Sequence, residues 1–342
     1  MRRIKQALCL FLAALMLCAP LHAADGSFAD VPEKHWAYES IRRAAEYGLV
    51  QGVDATHFGL GQKVTRAAYA TMLCRLMGWE MISPEQGSFA DNQNPDKWYY
   101  SAIETAYAHG AIYASEDSCE PTKEINREEM ASMTVRALGY AVLAGTLQEK
   151  CPFTDVTTNR GYITLAEEMG LVNGTGADRF APRGDTTREQ ATAVLLRVYD
   201  RLHAELTVHT QEEPPAEAVE APTITGDTGT VPISPRASVE SVYAAALQAG
   251  SGGAVTLHTA PLSQMVRGSS LTPGETLTQE QLNTLLENSR TQTYRSSRHE
   301  SSYLVLEQGS GTTVVWYETE QDLAEKVQLC RLLGVRDVYL VD

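Results

Sequence analysis

Apolar positions in the N-terminal part of the chain recur at helical spacing, in short runs closed by glycine. Ile41, Ala44, Ala45 and Leu49 fall on one helical face, as do Ile103, Ala106 and Tyr107, and Leu165, Ala166 and Met169. Gly48, Gly110 and Gly170 follow, where a helix C-terminus favours a left-handed residue. Behind each run comes a second one, through Tyr69, Met72 and Leu73, then Met130, Met133 and Thr134, then Ala191, Val194 and Leu195. The pattern predicts three pairs of helices. The C-terminal part alternates instead. It predicts a helix over 238–249, a strand over 254–258 and a helix over 278–287 with Thr278 as its N-cap. Two strands follow, 302–307 and 312–317, around Gly309-Ser310-Gly311, then a helix over 319–333 stopped by Gly334 and a last strand over 337–341. The expected fold is mainly α in the N-terminal part, with a small α/β module after it.

The three pairs are copies of one unit. Thr65-Arg66-Ala67-Ala68, Asn126-Arg127-Glu128-Glu129 and Thr187-Arg188-Glu189-Gln190 each open a second helix, and the arginines lie 61 residues apart both times. Even self-similarity of this kind marks a repeated structural unit that must stack on its neighbours to bury its apolar face. Thr65, Asn126 and Thr187 read as N-caps, and Asn126 with Glu129 and Thr187 with Gln190 as capping boxes. Each copy opens on a Phe-x-Asp, carrying Asp30, Asp91 and Asp155, and then an aromatic: Trp36, Trp98 or Tyr162. Phe58 and Phe180 each precede their arginine by eight residues, and Cys119 takes that place in the second copy.

An arginine in a helix's first turn sets a planar charged fork beside unpaired backbone N–H groups, a good place for a carboxylate or phosphate. The alternative is a structural arginine paired with a neighbouring copy's aspartate. Trp36 and Trp98 are either core residues or flat faces for sugar rings.

This triplicate pattern, over roughly 27–203, resembles the S-layer homology domain. The resemblance implies three units in a pseudo-threefold prism, each giving one helix to a central bundle. It also implies that grooves between units bind an anionic secondary cell-wall polysaccharide, often pyruvylated. Carried onto this chain, the glycan-binding set is Arg66, Arg127 and Arg188, with Asp30, Asp91 and Asp155 shaping the grooves and Trp36 and Trp98 beside them. Ala68 stands where the family's motif usually ends in Glu, and Ala114 and Cys119 replace Gly and Phe of the other copies.

Residues 1–24 read as a secretory signal peptide, with Arg2, Arg3 and Lys5 before an apolar centre over 7–19. No later run approaches a membrane span, so the expectation is a secreted protein held at the cell wall or S-layer. Without that segment's three basic residues, 25 of the 28 Lys+Arg remain against 43 Asp+Glu, a charge of −18. Such a chain avoids nucleic acid and anionic membranes, so attraction to an anionic polymer must come from local arginines. Cys74, Cys119, Cys151 and Cys330 form no CxxC or Cys/His cluster and read as small apolar residues, with a Cys119–Cys151 pair as the alternative. No metal or cofactor pattern appears.

The domains follow: repeats over 25–86, 87–148 and 149–204, a flexible acidic and proline-containing linker over 205–235, and the α/β module over 236–342. The linker is marked by Glu212-Glu213-Pro214-Pro215 and by the small residues of 226–229. The stretch Val314-Val315-Trp316-Tyr317-Glu318, with Leu323, Lys326 and Gly334-Val335-Arg336-Asp337-Val338, resembles the last part of chitinase-like barrels of glycoside hydrolase family eighteen. That family's Asp-x-x-Asp-x-Asp-x-Glu strand end is missing from this chain. Hydrolysis by that route therefore lacks its acid, and 107 residues fall short of a (β/α)₈ barrel, which needs on the order of 250. The expected function is a non-enzymatic, wall-anchored surface protein whose C-terminal module specifies no partner by sequence. The rivals are a glycan-acting enzyme of glycosidase descent and a self-assembling lattice protein.

Overall fold

The computed structural model describes residues 27–113, 117–210, 212–222, 235–267, 270–272, 274–309 and 311–342. The expected signal segment, Ala114, residues 226–229 and Ser310 lie outside them. Two compact units divide the chain after Asp200.

In the first unit the helical pairs are α1 (Tyr38–Glu46) and α2 (Arg66–Met77), α3 (Tyr100–Ala108) and α4 (Arg127–Ala137), then α6 (Arg160–Glu168) and α7 (Arg188–Leu202). A short α5 (Ala141–Thr146), absent from the sequence pattern, lies between the second and third pairs. Gly48, Gly110 and Gly170 all take the left-handed backbone, at φ of 73°, 72° and 70°, and so end the first helix of each pair. Thr65 accepts from the Ala68 N–H at 3.2 Å, and Asn126 with Glu129 completes a capping box. At Thr187 only half the expected box forms: Gln190 takes the Thr187 N–H, while the Thr187 hydroxyl is buried without a partner.

The apolar faces predicted from spacing are largely the core, with Ile41, Leu73, Ile103, Met130, Leu165 and Leu195 all buried; Tyr107, expected on such a face, is instead exposed. The segments leading into α2, α4 and α7 pair with one another through isolated bridges, Thr65 with Glu124, Asn126 with Asp185 and Lys63 with Thr187. Each segment touches both others, which ties three sequence-distant helix starts together. Between α2 and α4 the buried Tyr69 hydroxyl meets Thr134 at 2.6 Å.

The second unit holds two sheets. Strands β1 (Thr207–Thr210), β2 (Val219–Glu220), β3 (Ala254–His258) and β10 (Asp337–Val341) form a parallel sheet in the order β1-β10-β3-β2. The antiparallel sheet runs β5-β4-β9-β8-β7, from β4 (Leu262–Arg267), β5 (Ser270–Leu271), β7 (Gln292–Ser296), β8 (Ser301–Gln308) and β9 (Gly311–Tyr317), with β6 (Glu275–Thr276) also on β4. Helix α8 (Val239–Ala249) packs on β3 and against α10 (Glu320–Leu332). Helix α9 (Gln279–Leu286) covers one face of the antiparallel sheet through Leu282, which meets Leu304 and Val315.

The linker expectation is corrected here. Residues 207–210 and 219–220 are strands of the parallel sheet. Val208 stands in register with Val338, and Val338 with Val255, so one apolar row crosses three strands. That row, with the ladder hydrogen bonds, outweighs the polar composition around it.

Candidate functional site

Each copy's aspartate holds its own copy's loop. The Asp30 carboxylate accepts from the N–H groups of Phe58, Gly59 and Leu60 at 2.7, 2.7 and 3.0 Å. Asp155 accepts from Phe180 and Ala181 at 2.9 Å each. Asp91 accepts from Cys119 and Glu120 and from the Ser118 hydroxyl. Burial pushes the Asp30 carboxyl up, but the three amide N–H bonds outweigh it and leave the group below its ordinary range. Asp155 is lowered mainly by the Phe180 amide. These aspartates therefore shape the loops; Asp155 and Asp30 also act electrostatically on Arg127 and Arg188 without forming contact ion pairs with them.

The arginines reach into the loop of a different copy. Arg188 donates from Nε to the Phe58 carbonyl at 2.9 Å and from Nη2 to the Gln51 carbonyl at 2.7 Å, with its guanidinium 4.9 Å from the Phe58 ring centroid. Arg127 repeats the geometry on the third copy: Nε to the Phe180 carbonyl at 3.0 Å, Nη2 to the Asn173 carbonyl at 2.8 Å, and the Phe180 ring 4.6 Å away. Desolvation lowers the pKa of both. Among the described residues, no carboxylate forms an ion pair with either. Arg66 differs: Nη1 donates to the Cys119 carbonyl, and Nη2 meets the Glu129 carboxylate at 2.7 Å, with Glu120 at 3.5 Å. At Arg66 the ion-pairing alternative holds, though with glutamates and not with an aspartate. Cys119, in place of phenylalanine, puts no ring beneath that guanidinium.

Both tryptophans lie on the surface. Trp36 is 61% exposed and Trp98 67%, so neither belongs to the core. The sequence reading missed a second arginine triplet at the same 61-residue interval, Arg75, Arg136 and Arg197. Arg136 stacks between the rings of Tyr113 and Tyr162 at 5.2 and 4.4 Å, and Arg197 donates to the Leu171 carbonyl. The interval itself was the signal that could have found them. It also missed Glu129 as a counter-ion, since only the fold brings copy two's helix start to copy one's arginine.

The four cysteines of the described chain are free thiols, with Cys74, Cys119 and Cys330 buried. Among the described residues no group of three or more His, Cys, Asp or Glu side chains is placed to hold a metal ion. No helix of the described residues is long and apolar enough to cross a membrane.

In the second unit the buried ionic groups Lys326 and Asp322 are matched. Lys326, fully buried, donates to both Glu318 oxygens at 2.7 and 2.6 Å and to the Ser301 hydroxyl at 2.7 Å. Burial pushes the Glu318 carboxyl up to about 7 against the pull of Lys326. Asp322 is held by Arg295, Ser302 and Thr319, and Arg295 also binds Glu300 and Glu325.

Residues 27–70 and 152–192 match the S-layer homology domain. The chain is 32% identical over 183 residues to an S-layer protein of Bacillus thuringiensis subsp. finitimus, covering 52% of this chain and 22% of that protein. It is 32% identical to the S-layer protein sap of Bacillus anthracis, again over 52% of this chain and 22% of the relative. An amylopullulanase of Thermoanaerobacterium thermosulfurigenes is 31% identical over 52% of this chain and 10% of its own length. The chain thus spans less than a quarter of these relatives. A Bacillus subtilis protein described as a sporulation-specific glycosylase resembles 34% of this chain, covering 39% of its own, at 11% identity; its TM-score of 0.26 is too low to bear on fold or activity.

Proposed function

We propose that this is a cell-surface protein held non-covalently to an acidic secondary cell-wall polysaccharide by three S-layer homology units in a pseudo-threefold ring. The observation that carries the reading is the cyclic placement of the arginines. Arg66, Arg127 and Arg188 each cross to the loop of another copy, and two of them bring a cation that forms no ion pair with a carboxylate among the described residues. A guanidinium fixed by two carbonyls over a phenyl ring is pre-organised, so little side-chain freedom is lost when an acid group binds it. The ligand class is a carboxylate-bearing saccharide such as a pyruvylated sugar, with Trp36 and Trp98 offering flat faces. Lines of support beyond the geometry are the matched S-layer homology stretches and the relatives named as S-layer proteins.

The C-terminal unit is a non-catalytic module displayed by this anchor. Its buried carboxylates, Glu318 and Asp322, are committed to Lys326 and Arg295, and the chain lacks the glycosidase acid motif. The test is co-sedimentation of the full chain with purified wall sacculi before and after removal of the secondary polysaccharide. Binding lost on stripping is the expected result. Equal binding, or none to either, would move the weight to self-assembly.

A further inference from the structure

We propose that β1 is a proton-operated clasp on the tether between the two units. With His209 as imidazolium, the strand stays docked on β10 and the tether is short; with His209 neutral, β1 leaves the sheet and the tether lengthens. The clasp is independent of what the first unit binds.

The imidazole of His209 reaches carboxylates with both of its nitrogens. Nδ1 lies 2.8 Å from Glu212, and Nε2 lies 2.8 Å from Asp337, the first residue of β10. An ionised carboxylate only accepts, and a neutral imidazole has a single N–H. Both contacts are therefore hydrogen bonds only when the ring is an imidazolium. Its face lies parallel to the Tyr339 ring at 4.3 Å, an arrangement that also favours a cation. His258 and His299 differ, because each shows one nitrogen to one carboxylate, Glu220 and Glu240, which a neutral ring can serve. The groups around His209 are acids and a phenol. Glu212 and Asp337 touch it, Tyr339 on β10 stacks on it, and Glu217 adds its charge at Tyr339. Arg336, the cation next to Asp337, meets β1 through its backbone carbonyl, which accepts from the Thr207 N–H.

The rest of the strand's hold is modest: the ladder to β10 and the half-buried Val208. β1 is an edge strand of four residues, none of them fully buried. Elements of this kind open locally at low cost. The Asp337 hydrogen bond outweighs desolvation and, with Glu212, raises the His209 pKa above its ordinary 6.5. A group raised in the docked state contributes stability fully below its undocked pKa and loses it as pH rises through the docked value. Docking is thus complete in mild acid and weakens in alkali. The docked chain passes from α7, ending at Leu202, to β1 at Thr207. Once β1 leaves, the next strand is β2 at Val219, held to β3 by its ladder and by Glu220 on His258. The free segment then grows from 203–206 to 203–218, at up to about 3.3–3.6 Å per residue. The acidic, proline-containing composition of that stretch suits a solvated tether when released.

Hydrogen exchange of the full chain, read by mass spectrometry at pH 5.5 and 8.5 and corrected for the intrinsic rate, tests this. Amides of 207–210 in the parent should lose protection severalfold at pH 8.5, while β3 keeps its own. His209→Gln should be equally unprotected at both pH values. Glu212→Gln should stay protected at pH 8.5, because its amide N–H can donate to the lone pair of a neutral imidazole while the Nε2–H still serves Asp337. Small-angle scattering should show the parent's radius of gyration rising at pH 8.5 and that of Glu212→Gln unchanged. Protection in β1 that does not depend on pH, or that falls alike in parent and Glu212→Gln, would overturn the clasp. Loss of protection without expansion would overturn the lengthening of the tether. Exposure of β3 together with β1 would mean that the whole unit loosens, which contradicts a local clasp.

Discussion

The two units treat a desolvated cation in opposite ways. In the C-terminal unit, Lys326 is fully buried and receives a carboxylate and a hydroxyl within 2.7 Å. In the N-terminal unit, Arg127 and Arg188 are half-buried and contact neutral carbonyls and a ring, with Asp155 and Asp30 acting on them from beyond ion-pair distance. A cation matched by its own fold is a structural part, because the protein has already satisfied it. A cation fixed in place without a contact ion pair costs the fold desolvation for a smaller electrostatic return. Such an arrangement makes physical sense where an external anion completes it.

The matched side of the comparison gives the largest expected effect. Lys326→Met leaves Glu318 buried without its cation, to be held unpaired or protonated, and denaturant unfolding should show a loss of about 3–5 kcal/mol. Adding Glu318→Gln should recover most of it, because the pair as a whole returns little over apolar packing. If the single and double variants were equally unstable, the pair would not be the unit that matters.

Asp30→Ala comes next. It removes three charge-assisted bonds from the loop over 58–60, and about 2–3 kcal/mol of stability should go with it. The pH sign follows from the lowered carboxyl. Its contribution is fully present above the unfolded pKa near 3.8 and is lost as pH falls through the lower folded value. Acid titration of the parent should therefore show a steeper loss than the variant below about pH 4.

A smaller effect belongs to Glu300, which burial and the neighbouring Glu325 push up to about 7. A carboxyl raised in the folded state stabilises below its unfolded pKa and loses that contribution as pH rises through 7. Glu300→Gln keeps an acceptor for Arg295, so it should leave stability unchanged near pH 4 and increase it modestly at pH 8. Melting curves at the two pH values check this.

The smallest structural effect is expected from Trp36→Ala and Trp98→Ala. Both side chains are mostly exposed, so stability should change by no more than about 0.5 kcal/mol. Wall binding should nonetheless weaken severalfold if these rings stack on sugar. A large stability loss would mean that they pack in a way the exposure denies.

Much of the fold was legible because it is written three times. The helix pairs, the left-handed glycines and the caps at Thr65, Asn126 and Thr278 are local features, and spacing alone reveals them. The strands β8 and β9 were legible for the same reason. Strands β1 and β2 were not: each is short, and the pairing of Val208 with Val338 joins residues far apart in sequence. Strand β7, with four of its five residues exposed, lacks an apolar alternation to betray it. At the site, residue types and positions were readable, but the partners were not. That Arg66 would meet Glu129, while Arg127 and Arg188 would meet carbonyls, depends on which copy's loop faces which helix start.

The most direct test of the central claim compares wall before and after its carboxyl groups are reduced to alcohols, with all else in the polymer kept. The full protein is expected to sediment with native wall and to stay in solution with the reduced wall. Arg127→Ala/Arg188→Ala is expected to mimic that loss on native wall, while Arg66→Ala is not. Equal sedimentation with native and reduced wall would contradict the account, because the unmatched arginines would then have no acid to meet.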